Sequence, residues 1–139
     1  MKKLYRLFAL GLLLWGTVLQ PEASAMIPQP LYEADLHFVD AREATGYYVD
    51  MNSAIVSKDY ISAKVAIIRA DENRILLYSM YFKPSKRTYS FDNVLMFTYD
   101  EKKPLGFTRL KAGPFSIAPG SPVENIIEYI HHPDKSDLM

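Results

Sequence analysis

Three histidines, His37, His131 and His132, are the residues of this sequence best suited to shuttle a proton near neutral pH or to offer a metal a ring nitrogen. His131 and His132 with Asp134 make a metal-type cluster by composition. Neighbouring residues on a helix point in different directions, however, so the sequence predicts no metal centre there. His37 stands between Leu36 and Phe38 and reads as a partly buried, hydrogen-bonded imidazole. Cysteine is absent, which removes any thiolate nucleophile, any disulfide and any lipid-bearing Cys. No G-x-S-x-G, H-E-x-x-H, phosphate-cradling glycine loop or dinucleotide fingerprint occurs. Asp50, Asp59, Asp71, Asp92 and Asp100 each fall where a strand closes or a turn opens, a placement that backbone hydrogen bonding explains without catalysis. The expectation is a noncatalytic protein, with no catalytic residue, metal or cofactor.

Recognition chemistry is better represented. Lys83, Lys86 and Arg87 crowd one turn and Lys102 and Lys103 another, while Tyr47, Tyr48, Tyr78, Tyr81, Tyr89 and Tyr99 punctuate the strand-like runs. Basic turns beside tyrosines can recognise an acidic glycan or a protein partner. The plainer explanation is that Tyr favours strands and that Lys in turns keeps sheet edges soluble. Tyr47, Tyr48, Lys83, Lys86 and Arg87 form the candidate partner-binding set.

The elements that must position these groups are mostly strands. Short runs at Leu36 to Val39 and Tyr47 to Asp50 precede an ambiguous stretch, Met51 to Asp59. Tyr60 to Ala70 and Arg74 to Phe82 are the strongest strands, joined by an Asp71-Glu72-Asn73 turn. In Ile75 to Phe82 neither alternate face is polar, which predicts a central strand covered on both sides. Arg87 to Tyr99 follows, with Asp92-Asn93 marking a bulge, and Phe107 to Leu110 is the last short strand. Connections of two to five residues join antiparallel neighbours, because parallel pairs need long crossovers.

A helix closes the chain. Ser121 can cap it, Pro122 suits its first position, and Glu124 can bond back to the capping residue. Val123, Ile126, Ile127 and Ile130 then form an apolar stripe, with Glu124, Asn125 and Glu128 facing away. Burying four such side chains contributes about 6 to 12 kcal/mol as an upper estimate, so the helix reads as a lid that completes the core. The predicted class is α+β: an antiparallel five- to six-stranded meander sheet with one C-terminal helix packed on a sheet face.

Residues 1–25 show the order of a secretory signal peptide: basic MKKLYR, an apolar run from Leu7 to Leu19, and Ala23-Ser24-Ala25. The short Lys-Lys start is bacterial in style. Residues 26–32 read as an extended leader, 33–132 as one domain and 133–139 as a flexible tail. Removing Lys2, Lys3, Arg6 and Glu22 with the signal leaves 13 basic against 15 acidic residues, a net charge of −2. That balance argues against nucleic acid as a partner. The expected locations are the periplasm, the cell surface or the medium, without a stable membrane anchor after cleavage.

Tyr47-Tyr48-Val49-Asp50 followed by Ser53 and Ile55, a pair of long strands, and Pro119-Gly120-Ser121-Pro122 leading into Ile126-Ile127-Glu128-Tyr129-Ile130 resemble a known pattern. Over residues 36–131 the chain resembles the small exported domains of the surface-adhesin protein E family of Gram-negative bacteria. The resemblance implies an antiparallel sheet with a C-terminal helix, a tendency to form a homodimer, and binding of host extracellular proteins such as vitronectin, laminin or plasminogen. The functional expectation is a noncatalytic exported binding module, adhesin-like, contacting extracellular or envelope proteins. An envelope structural protein is the alternative, followed by a small hydrolase or small-ligand carrier.

Overall fold

The computed structural model describes residue 31 and residues 33–133. The expected signal peptide, residues 1–25, lies outside them, as does the expected tail except for Pro133. Six strands follow in order: β1 (Leu36–Arg42), β2 (Thr45–Val56), β3 (Ile61–Arg69), β4 (Arg74–Lys83), β5 (Thr88–Phe97) and β6 (Pro104–Ser116). They form a single antiparallel sheet in sequence order, β1-β2-β3-β4-β5-β6, as the short connections require. One helix, α1 (Pro122–His131), packs across β1 and β2. Among the described residues no helix is long and apolar enough to cross a membrane.

Two of the tight turns share one conformation. After β3, Ala70–Glu72 form a 3-10 turn and Asn73 takes the left-handed region at φ 56°; after β4, Pro84–Lys86 do the same and Arg87 sits at φ 51°. In each, the left-handed residue donates its N–H to the carbonyl of the first turn residue, at 3.1 Å. Asn tolerates this backbone well, whereas Arg lacks the short polar side chain that eases it, at a cost of about 1 kcal/mol. The Arg87 guanidinium offsets that cost by donating to the Ile117 carbonyl at 3.2 Å and to Glu124 at 2.7 Å.

β2 and β6 depart from the sequence expectation. β2 continues through the stretch that looked ambiguous, because a bulge lets it bend and re-pair. Between the pairs Asp50/Lys64 and Ile55/Ser62, β2 advances five residues while β3 advances two. Ser53 holds the bulge together, its hydroxyl donating to the Asp50 carbonyl at 2.7 Å and accepting the Lys64 N–H at 2.8 Å. Asp50 is therefore a buried mid-strand residue, not a strand-closing one, and its Oδ1 accepts the Asp35 and Asn52 N–H groups at 2.9 and 3.1 Å. β6 runs 13 residues, since its pairing with β5 absorbs Gly113 and Pro114 through register shifts. The expected β5 bulge is present: Ser79 pairs with Asn93 and Met80 with Phe91, leaving Asp92 extruded.

α1 begins as its sequence implies, with Ser121 Oγ accepting the Glu124 N–H at 3.3 Å. Glu124, however, reaches back to the Gly120 N–H at 3.0 Å and not to Ser121, whose own N–H is already bonded to the Ala118 carbonyl. Ile126 and Ile130 are buried, and Val123, Ile127 and Tyr129 pack around them against Val49, Val65, Leu76, Tyr78, Phe82 and Phe91. Asn125 does not face away as expected. Its amide donates to Asp40 at 3.0 Å, because the β1 bulge beside Val39 places that carboxylate beneath the helix.

The outer face of the sheet is covered over only part of its length. Ala66, Ile75, Leu77 and Phe97 are buried there, flanked by Leu31, Leu36, Tyr48, Ile68 and Leu95. Leu31, the one described residue of the expected leader, thus packs on the domain. β4 is enclosed on both faces from Ile75 to Tyr78, but its far end opens outward at Ser79, Tyr81 and Lys83.

Candidate functional site

The candidate set read from the sequence is divided by the fold. Successive strand residues point to opposite faces, so Tyr47 and Tyr48 cannot share a surface. Tyr47 lies on the helix side at 8 % exposure. Burial pushes its hydroxyl above the usual tyrosine range and the Asp40 charge adds to this, while Arg42 and Arg69 oppose it. Tyr48 lies on the outer face, edge-on to Phe38 with ring centroids 5.5 Å apart. Lys83 and Lys86 are exposed at the β4–β5 turn. Arg87, between that turn and α1, is occupied by Ile117 and Glu124 and serves as a structural clamp.

The polar groups beneath α1 form a chain of structural links. His37 Nε2 contacts Asp35 Oδ2 at 3.0 Å and its Nδ1 contacts the Tyr129 hydroxyl at 2.6 Å. A carboxylate accepts only, so Nε2 donates to Asp35, and in the neutral imidazole Nδ1 accepts from the Tyr129 hydroxyl. The imidazole is thus half-buried and bonded through both nitrogens, joining β1 to the helix. Asp40 accepts from Asn125 and Arg42, and Arg42 also donates to the Gly120 carbonyl. Burial raises the Asp40 carboxyl, but the Asn125, Arg42 and Ala41 bonds outweigh it and hold the group below its ordinary range. Glu124 is likewise lowered, first by the Gly120 N–H and then by Arg87.

The side chains left uncommitted gather on the open end of the outer face. Ile55, Ser62, Tyr81 and Ser90 form one cross-strand row from β2 to β5. Lys64, Ser79, Asn93 and Arg109 form the next, from β3 to β6. Tyr60 lies two residues before Ser62 and Lys83 two beyond Tyr81, on the same face. Ile55 is 57 %, Tyr60 42 % and Tyr81 39 % exposed, whereas Val56, 55 % exposed, pairs with Ile61 and so points to the helix side. The Tyr81 hydroxyl donates to Asp92 Oδ2 at 3.3 Å, while Asp92 Oδ1 is buried with no hydrogen-bond partner among the described residues. Burial raises the Tyr81 hydroxyl above its ordinary range, with the Asp92 charge and bond and the nearby Tyr60 adding to it.

Reading the strands for burial alone passes over this surface, although β4 carries its signal: Ser79, Tyr81 and Lys83 alternate as polar or amphipathic residues once Leu77 has passed. Tyr60 and Ile55 gave no such sign, because each sits where a strand begins or resumes. Among the described residues no group of three or more His, Cys, Asp or Glu assembles, and Asp134 lies outside them. Compared with known proteins, the chain matches no family model, no curated protein and no solved structure.

Proposed function

We propose that this protein is a noncatalytic exported binding module that contacts an extracellular or envelope protein through the open corner of its sheet. The carrying observation is the exposure of Ile55, Tyr60 and Tyr81 together at one end of the outer face, when the other large apolar side chains of that face on β2 to β5 pack in the second core. Large exposed apolar and aromatic groups beside a polar surround have the composition of a protein-recognition patch. Export is supported by the basic, apolar and Ala-x-Ala order of residues 1–25, and the binding role by the resemblance to the protein E adhesins.

The test is capture from panels of purified extracellular-matrix and envelope proteins, comparing the wild type with an Ile55→Ser variant. That side chain is already solvated, so the variant should keep its thermal midpoint and lose about tenfold or more in partner affinity. Undiminished capture by the variant would remove this corner from the contact. Absence of any captured protein would remove the binding-module reading.

A further inference from the structure

We infer that the polar floor beside that corner, on the outer face of β3 to β6, is a docking site for an anionic polysaccharide. The inference rests on the binding-module reading and adds a second ligand class at an adjoining surface. Its first support is the distribution of charge. Several ionic side chains of the domain are paired: Asp40 with Arg42, Arg69 with Asp71 and Glu72, Arg87 with Glu124, and Lys103 with Glu101. Lys64, Lys83 and Arg109 share the open outer face and form no ion pair among the described residues, and Lys58 and Lys86 add exposed charge at its rim. The acids at this end are fewer. Asp50 is buried against two backbone N–H groups, Asp92 is engaged by Tyr81, and Asp59 lies in the β2–β3 turn. A chain of balanced formal charge thus concentrates positive charge on one face.

Spacing selects among anionic ligands. Lys64 and Arg109 stand in one cross-strand row, which continues past Lys64 to the buried Asp50 of β2; they lie three strand spacings or about 14 Å apart, and Lys83 lies four residues along β4 from Ser79, about 13 Å away. Cations this dispersed cannot converge on one phosphate, but they suit a chain that repeats its anionic groups. The floor between them is built of the short hydroxyl side chains Ser62, Ser79 and Ser90, which keep it low and offer hydrogen bonds to sugar hydroxyls. Tyr81 rises between Ser62 and Ser90, and Tyr60 at the margin, with ring faces on which the C–H face of a pyranose can stack.

Two other macromolecules fit less well. The core of a protein interface is depleted in Ser and Lys, the residue types that make this floor. Single-stranded nucleic acid wants several aromatic rings spaced along a basic groove, whereas here serines flank the one central ring, Tyr81, and Tyr60 stands at the start of β3.

The experiment is calorimetric titration of the protein with four probes: a size-defined sulfated octasaccharide, neutral dextran of equal length, poly-L-glutamate and a single-stranded oligonucleotide. The octasaccharide should bind with an affinity that falls as salt rises, and dextran should not bind. Lys64→Gln/Lys83→Gln/Arg109→Gln should lose about tenfold or more in affinity and flatten the salt dependence. Tyr60→Ala/Tyr81→Ala should lose affinity with the salt dependence unchanged, because stacking carries no counterion release. Lys102→Gln/Lys103→Gln, at the opposite end of the sheet, should bind as wild type. No binding of the octasaccharide, equal binding of poly-L-glutamate or the oligonucleotide, or wild-type affinity in the triple variant would each overturn the inference. Protein capture that depends on Ile55 in a chain that ignores the octasaccharide would sink this inference alone. Failure of both assays would take the binding-module reading with it.

Discussion

Ile126→Ala tests whether α1 is part of the core or an appendage. Ile126 is 1 % exposed and stands among Val49, Val65, Leu76 and Phe91. The substitution removes three carbons, about 2.4 kcal/mol of transfer free energy at roughly 0.8 kcal/mol each. The cavity left under a helix held by several other contacts adds to this, so the expected loss is about 3 to 4 kcal/mol. For a domain of this size that corresponds to a fall in thermal midpoint of roughly 15 °C. Glu128→Ala removes an exposed side chain from the other side of the same helix and should change stability by less than about 0.5 kcal/mol. Ile127→Asp, at a half-buried position packed on the same cluster, should leave the domain unfolded or molten. Urea titration followed by near-ultraviolet circular dichroism of the tyrosines reads all three. An Ile126→Ala protein within about 1 kcal/mol of wild type, or an Ile127→Asp protein with the native transition, would refute the lid and turn the stripe into a binding surface.

Acid should loosen the helix N-terminus. Asp40 and Glu124 are both held below their ordinary carboxylate range in the folded state, so their contribution is present above about pH 4 to 5 and fades as pH falls through the lowered values. An Asp40→Asn/Glu124→Gln variant should show a flatter acid limb in stability against pH, and an unchanged limb would show that these bonds do not distinguish folded from unfolded protein. Asp50→Ala should cost about 2 to 3 kcal/mol, since it orphans two N–H groups beside a bulge, and hydrogen exchange should quicken first at Asp35 and Asn52. Wild-type protection at those amides would refute the role assigned to Asp50.

Local chemistry determined much of the architecture from the sequence alone. Short connections allow only antiparallel neighbours, which dictated the meander, and Ser121-Pro122 with the isoleucine spacing dictated where the helix starts and which side it buries. The extruded Asp92 was legible too, because Asp-Asn interrupts an otherwise strand-forming run. Tertiary structure decided what depended on partners distant in the chain. The β2 bulge required Lys64 to accept Ser53 as its partner, and Asn125 turned inward because Asp40, 85 residues away, was waiting beneath it. The surface chemistry was decided the same way. Arg87 and Lys83 are both cations flanking one turn, yet Arg87 is consumed by Glu124 across the fold while Lys83 forms no ion pair among the described residues. Tyr47 and Tyr48 differ only in parity along a strand, and that parity buries one under the helix while leaving the other on the open face. A side chain's type limits the chemistry it can perform, but whether it remains available is fixed by the neighbours that folding brings to it.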